Sequence, residues 1–95
     1  MRMDLTMLRQ EIDGIDEQLT RLLVQRMHIC GEVAQYKKAN GLPVFHPERE
    51  QEVLARVSAV AGEDMETYAR AMFGLLFSLS RDYQEKVMNA GDGEA

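Results

Sequence analysis

Residues 5–38 read LTMLRQEIDGIDEQLTRLLVQRMHICGEVAQYKK, and the rest of the chain can be interpreted outward from this stretch. Apolar residues recur in it at steps of three and four, which is typical of an amphipathic helix. They are Leu5, Leu8, Ile12, Ile15, Leu19, Leu22, Ile29 and Val33. Such a helix is about 50 Å long, whereas a compact globule of 95 residues has a radius of gyration of about 12–13 Å. We therefore expect it to project from its own chain and to bury its apolar stripe against a second chain.

Length and composition favour one folded domain over residues 1–95, with disorder expected at 1–4 and 89–95. The net charge of -5 disfavours nucleic acid as a partner. The sequence shows neither a signal-peptide pattern nor an apolar run long enough for a membrane span. The single cysteine, Cys30, lies near the apolar stripe and is interpreted as a small buried residue. We expect a cytoplasmic protein that binds neither nucleic acid nor membrane.

Two shorter helices are predicted after the long one, which Asp4 is expected to cap. The segment 40–43, Asn-Gly-Leu-Pro, ends the first helix, and His46-Pro47 begins the second. Gly62 ends the second helix, and Glu63-Asp64 begins the third, with Asp64 as its N-cap. The predicted fold class is therefore all-α, a three-helix protomer with one long N-terminal helix.

Charged and polar residues occupy positions where a buried seam is expected. Arg26 falls in the apolar register of the long helix, and Lys37, eleven residues later, lies on the same face. The two positions differ by about 20° around the helix and by about 16 Å along it. Arg49, Glu50, Ser80 and Gln84 border the stripes of the other two helices. Because a buried charge without a partner is costly, these residues either pair with one another or line a pocket for a charged ligand.

Arg9 is seventeen residues from Arg26, about 25 Å along one helix. Two side chains that far apart on one chain cannot both contact one small molecule. If two long helices pair antiparallel, Arg9 of one chain approaches the middle of its partner. Two equivalent sites would then form across the interface of a symmetric dimer.

Each of these residues also has a purely structural interpretation. Arg26 can form an ion pair or extend its head group to water, and Lys37 suits a helix C-terminus. Arg49 and Glu50 can be surface charges of a first helical turn, and His46 can simply flank it. The sequence shows no metal-ligand cluster, no nucleophile–base pair and no glycine-rich phosphate loop, so we expect neither metal nor cofactor. The residues alone lead to a helical dimer with a possible pocket for a small anion.

Three segments in order resemble the all-helical class of chorismate mutase. They are LRQEIDGIDEQLTRLLVQRM at 8–27, VAQYKKANGLPV at 33–44 and HPERE at 46–50. Each segment alone is a weak match, and their order along nearly the whole chain makes the likeness specific. The resemblance implies an intertwined homodimer that converts chorismate to prephenate, a step toward phenylalanine and tyrosine, with no cofactor.

The resemblance also assigns roles to the polar residues. Arg26 and Arg9, the latter donated by the partner chain, would bind the two carboxylates of chorismate. Lys37 and Gln84 would donate hydrogen bonds to its ether oxygen, where negative charge develops as the C–O bond breaks. Arg26, Lys37 and Gln84 are therefore the expected catalytic residues.

The remaining assignments concern the other side of the substrate. Glu50 would meet the ring hydroxyl, Arg49 would order the start of the second helix, and Ser80 would lie near a carboxylate. His46 departs from the family pattern, since some relatives carry an aspartate there, and it is left out of the expected site.

Two rival functions remain open from the sequence. Isochorismate-pyruvate lyase has the same fold and a cationic site, but it typically lacks a carboxylate at the position of Glu50. A non-catalytic dimerisation or regulatory module would be expected to have lost at least one of Arg9, Arg26, Lys37 and Gln84, all of which are present.

Overall fold

The computed structural model describes residues 4–90, which form three helices and no strand. They are α1 (Leu5–Ala39), α2 (Pro47–Ala61) and α3 (Glu66–Asn89). The predicted all-α fold is confirmed. Residues 1–3 and 91–95, where disorder was expected, lie outside the described residues, whereas Asn89 is the last residue of α3. None of the three helices is long and apolar enough to cross a membrane.

Both ends of α1 follow the predicted local chemistry. The Asp4 side chain accepts a hydrogen bond from the backbone N–H of Thr6 at 2.8 Å, as an N-cap does. At the other end, the Asn40 N–H donates to the Tyr36 carbonyl at 3.1 Å. Gly41 then adopts a positive φ of 65°, which glycine accepts without steric cost. The chain therefore turns where the sequence predicts.

The second helix is also bounded as expected. Pro47 is its first residue, and the His46 side chain caps it by accepting a hydrogen bond from the Arg49 N–H at 3.2 Å. Gly62, with a φ of 85°, ends it. The N-cap role gives His46 a structural function that does not depend on any ligand.

The predicted start of α3 is wrong. The helix begins at Glu66 rather than at Glu63-Asp64, and its N-cap is Met65, which makes no side-chain capping hydrogen bond. The carbonyl of Gly62 instead accepts from the N–H groups of Met65 and Glu66, at 3.1 and 2.9 Å. This backbone turn satisfies N–H groups at the start of the helix that Asp64 was expected to cap, so the N-cap lies one residue later than predicted.

Helix α3 packs against both α1 and α2, and the buried core between them is thin. Ala34 of α1 is fully buried, and Val53 of α2 and Phe77 of α3 are nearly so. Gly31 allows α1 and α3 to approach closely, because a Cβ atom there would lie 3.2 Å from the Tyr83 ring. These contacts fix the C-terminal half of α1 against α3.

The molecule is elongated, measuring 60 × 29 × 14 Å with a radius of gyration of 17.2 Å. A compact chain of this length would have a radius of about 12–13 Å. The apolar stripe of α1 is largely exposed, with Ile12 at 55%, Ile15 at 56% and Leu22 at 61% of full accessibility. The expectation that α1 projects beyond its own chain is thus met.

Candidate active site

A pocket of about 320 Å³ lies where the C-terminal half of α1, the start of α2 and the C-terminal half of α3 meet. Six of the seven site residues expected from the sequence line it: Arg26, Lys37, Arg49, Glu50, Ser80 and Gln84. Its apolar wall comes mainly from Ile29, Val33, Val44, Val53 and Phe77. An apolar pocket with a few convergent polar groups is the usual form of a small-molecule site.

Arg26 and Ser80 form one end of this pocket. The Arg26 Nη1 donates to the Ser80 Oγ at 2.9 Å, and Ser80 is only 5% exposed. The Arg26 guanidinium carbon also lies 5.9 Å from the centroid of the Phe73 ring, within cation–π range. These two contacts hold the guanidinium in a defined place at the pocket wall.

Cys30 lies beside this pair and corrects an expectation. It was interpreted as a buried apolar residue, but it is only half-buried and lines the pocket. Its Sγ is 3.8 Å from both the Arg26 Nη1 and the Ser80 Oγ. One turn of helix separates Cys30 from Arg26, which places the thiol on the pocket-facing side of α1.

Lys37 and Gln84 form the other end of the pocket. The Lys37 Nζ donates to the Gln84 Oε1 at 2.9 Å and to the Val44 carbonyl at 2.8 Å. An ammonium has three N–H donors, so one remains for a ligand. Gln84 is 7% exposed, and with its Oε1 turned to Lys37, its amide nitrogen is the group left to donate into the pocket.

Burial lowers the pKa of Lys37 from its ordinary value, while the charges of Cys30 and Glu50 act in the opposite direction. Desolvation penalises an ammonium that is removed from water, and a nearby carboxylate favours it. A cation held in a partly desolvated pocket interacts more strongly with an anion than it does in water.

Glu50 lies on the α2 side and is held by a residue that the sequence reasoning missed. The Arg81 Nη1 donates to the Glu50 Oε2, forming an ion pair between α3 and α2. The Arg81 guanidinium carbon lies 5.2 Å from the centroid of the Phe45 ring. Arg81 follows Ser80 and precedes Gln84 by three residues, and this spacing could have placed it at the edge of the same face.

The start of α2 contributes Arg49 and His46 to the pocket lining. The Arg49 Nη1 donates to the Glu52 Oε1 at 3.1 Å, one turn further along α2. Its backbone N–H donates to His46, as described above. Both side chains are mostly exposed, so they can turn toward a ligand without breaking the core.

Arg9 is the one expected site residue that this pocket does not contain. It is exposed near the N-terminus of α1, seventeen residues before Arg26. At about 1.5 Å per residue, the two lie about 25 Å apart along the helix. Within one chain the structure therefore separates Arg9 from the other six residues.

An apolar groove of about 400 Å³ runs between α1 and α3 beside the pocket. Its walls are Leu19, Leu22 and Leu23 of α1 and Met72, Phe73, Leu75, Leu76 and Leu79 of α3. Arg26 borders both the groove and the pocket. A molecule that covered the groove would therefore reach the edge of the charged pocket.

The fold and the pocket define an all-α protein with a site suited to a small anion. The family model for chorismate mutase type II matches residues 8–85, and the chain belongs to this family.

Among curated relatives, a T-protein of Enterobacter agglomerans is 44% identical over 52 residues, 55% of this chain and 14% of that protein. A bifunctional chorismate mutase/prephenate dehydratase of Aquifex aeolicus is 39% identical over 54 residues, 57% of this chain and 15% of that protein. A chorismate mutase of Methanocaldococcus jannaschii is 29% identical over 88 residues, 86% of this chain and 89% of that protein. The chain thus spans only a small part of the first two relatives. No solved structure is significantly similar to it.

Proposed function

We propose that this chain catalyses the rearrangement of chorismate to prephenate. The observation that carries the proposal is the convergence of Arg26, Lys37, Ser80 and Gln84 in one pocket of about 320 Å³, within a chain of the chorismate mutase family. Chorismate carries two carboxylates, and its rearrangement is intramolecular. A protein accelerates such a reaction by binding the compact reactive conformer and by stabilising the charge that develops.

Arg26 is proposed to bind one carboxylate of chorismate. Its guanidinium can offer two parallel N–H donors to a carboxylate, which fixes the orientation of the ligand as well as its position. Ser80, already in contact with Arg26, lies at the same end of the pocket. The stacking of Arg26 on Phe73 restrains the guanidinium before the substrate arrives, so less side-chain entropy is lost on binding.

Lys37 and Gln84 are proposed to act on the ether oxygen. As the C–O bond breaks, negative charge grows on this oxygen, and fixed donors aimed at it lower the barrier. The hydrogen bond between Lys37 and Gln84 places the ammonium beside the amide before substrate binds. Because both side chains are held by other protein groups, little reorganisation is needed during the reaction.

Glu50 is proposed to accept a hydrogen bond from the ring hydroxyl of chorismate, and Arg49 to help fix the start of α2. Glu50 lines the pocket and is held by Arg81, so one carboxylate oxygen is already engaged. The other oxygen is available to a ligand. This contact would orient the ring rather than take part in bond breaking.

We further propose that two copies of the chain form an intertwined homodimer, with the partner subunit's Arg9 completing each site. The apolar stripe of α1 and the apolar groove beside it are exposed in the single chain, and a partner with an apolar surface would bury them. A second α1 running antiparallel supplies such a surface, and it carries Arg9 toward the groove edge that Arg26 borders.

A cytoplasmic location fits a site lined by the free thiol of Cys30, which a reducing compartment would protect.

The test is incubation of the purified protein with chorismate, followed by loss of its ultraviolet absorbance and identification of the product by chromatography. Prephenate is the expected product. No consumption of chorismate, with pyruvate and salicylate released from isochorismate instead, would identify the lyase. Failure to act on either compound would contradict an enzymatic role.

A further inference from the structure

We propose that Arg81 is a positioning residue that holds Glu50 as the acceptor for the substrate hydroxyl and keeps it from pairing with Lys37. This inference rests on the proposed function, because it concerns how Glu50 meets chorismate. Arg81 itself is not expected to contact the substrate.

The geometry around Arg81 restrains it from two sides. Its Nη1 donates to the Glu50 Oε2, and its guanidinium carbon lies 5.2 Å from the centroid of the Phe45 ring. The Arg81 side chain is 34% exposed and the Glu50 side chain 22%, so the pair is partly removed from water. Stacking and a directed hydrogen bond together fix a guanidinium far better than an isolated surface ion pair would.

Glu50 has a second cation within electrostatic reach. This cation is Lys37. The charge of Glu50 raises the pKa of Lys37, against the larger effect of burial. Lys37 nevertheless donates to two neutral oxygens, those of Val44 and Gln84. If Glu50 turned to Lys37, the carboxylate would neutralise the ammonium that the proposed mechanism aims at the ether oxygen. Arg81 prevents this by giving Glu50 a partner on α3.

Other charged groups around the pocket are engaged elsewhere. On α1, Arg26 donates to Ser80, and the Cys30 thiol lies beside that pair. At the start of α2, Arg49 pairs with Glu52, and His46 caps the helix. Arg81 is therefore the cation in direct contact with Glu50, which makes its removal a specific test.

The matched control for Arg81 is Arg70. It also lies on α3 and also reaches α2, where its Nη1 donates to the Ser58 Oγ at 2.9 Å, but it is outside the pocket. An effect caused merely by loosening α3 from α2 should appear in Arg70→Gln as well as in Arg81→Gln. An effect that passes through Glu50 should appear only in Arg81→Gln.

The experiment compares chorismate with the analogue that carries hydrogen in place of the ring hydroxyl. For Arg81→Gln we expect kcat/KM on chorismate to fall by about tenfold or more, because the contact with the ring hydroxyl weakens and Lys37 is partly neutralised. On the analogue, kcat/KM should fall by less, because only the effect on Lys37 remains. Arg81→Lys should retain part of the activity. In a Glu50→Gln background, Arg81→Gln should add almost nothing.

An equal fall on both compounds would mean that the effect of Arg81 does not pass through the substrate hydroxyl, and it would overturn the proposal. So would unchanged kinetics in Arg81→Gln.

A second measurement does not need turnover. The pKa of Lys37, followed by NMR of its labelled ammonium, should rise in Arg81→Gln, as Glu50 becomes free to pair with it, and stay constant in Arg70→Gln. The rise should be smaller when Glu50 is already glutamine. A Lys37 pKa that does not respond to Arg81→Gln, or responds equally without Glu50, would overturn the positioning role. If the wild-type protein does not convert chorismate, the proposed function fails, and this measurement alone decides whether Arg81 positions Glu50.

Discussion

Lys37 is the residue on which the proposed chemistry depends most. It is the cation held against Gln84 and the Val44 carbonyl, with one N–H left for a ligand. The same contacts make it structural, because it links α1 to α3 and to the segment before α2. Function and stability must therefore be measured separately for any change at this position.

Replacing Lys37 by alanine should lower kcat by about 10²–10³-fold, the usual effect of removing one donor aimed at a developing charge. The variant should keep its helical content, since the core residues around Ala34 and Phe77 are unchanged. Steady-state kinetics and circular dichroism would measure both effects. The neighbouring, exposed Lys38→Ala is the control and should have nearly wild-type activity. Full activity in Lys37→Ala would remove this residue from the mechanism.

The lowered pKa of Lys37 predicts the alkaline limit of activity. The ammonium must be protonated to stabilise negative charge, so kcat/KM should fall as the pH rises through this pKa, below the ordinary value of 10.5. A bound dianion favours the charged form of Lys37. The alkaline decrease of kcat should therefore occur at higher pH than the alkaline decrease of kcat/KM. In Lys37→Arg, the alkaline decrease of activity should disappear from the experimentally accessible pH range. If Lys37→Arg shows the same alkaline decrease as the wild-type protein, the decrease reports the titration of another group.

Gln84 offers a test in which activity should increase as the pH falls, whereas the Lys37 prediction concerns a loss of activity at high pH. In Gln84→Glu, a carboxylate replaces the amide donor and faces both Lys37 and the substrate, so activity near pH 7 should fall by about tenfold or more. Protonation at lower pH restores an O–H donor, and part of the activity should return. Gln84→Ala is the control, because it has no titrating group and should lose activity at every pH. If the two variants had parallel pH–rate profiles, Gln84 would not be the donor.

At the scale of helices, the close contact between α1 and α3 positions both ends of the pocket. Arg26 and Lys37 come from α1, whereas Ser80 and Gln84 come from α3. The two helices can approach because Gly31 faces the Tyr83 ring. A shift of about 1 Å between them would misalign donors at both ends of the pocket.

Gly31→Gln should therefore destabilise the protein by about 1–3 kcal/mol, since a larger residue must displace Tyr83. Gly14→Gln is the control: nothing lies within 4 Å of a Cβ at that position, and glutamine is the better helix former. It should be neutral or slightly stabilising. Denaturant unfolding of both variants measures the difference. Equal stability of the two would mean that the contact at Gly31 does not determine the helix spacing.

The sequence predicts most helix boundaries because local side chains determine them. Asp4, Pro47 and Gly62 act within a few residues of their own positions, and each behaves as expected. The start of α3 was misplaced because the Gly62 carbonyl, rather than the Asp64 side chain, satisfies its first N–H groups. Two chemically reasonable caps compete there, and the sequence does not show which one forms.

The pocket was partly predictable for a similar reason. Arg26 and Lys37 share a face of one helix, so their spacing alone places them together. The pairing of Arg81 with Glu50 depends on how α3 crosses α2, which no spacing along the chain reveals. Cys30 was misassigned because periodicity places it near the apolar stripe but does not show that this stretch of α1 borders a polar pocket.

At the scale of the whole molecule, the described chain has more apolar surface than its own core can cover. Leu22 and Leu75 are each more than 60% exposed on opposite walls of one groove. Arg9 lies far from the pocket of its own chain. A homodimer that buries the groove and delivers Arg9 to the opposite pocket accounts for both observations with a single arrangement.

Mixing variant chains tests this central claim most directly. Arg9→Ala and Lys37→Ala chains should each be nearly inactive as homodimers, but a hybrid dimer should have one site with both residues intact. After equal mixing and full exchange, about a quarter of all sites should be intact, and chorismate turnover should recover to about that fraction.

The control mixes Arg26→Ala with Lys37→Ala. Both residues belong to the pocket of one chain, so no hybrid site is intact and turnover should stay low. Recovery in the first mixture but not in the second is the result that we predict. No recovery in the first mixture, with hybrid dimers demonstrated by mass spectrometry, would contradict a site completed by the partner chain.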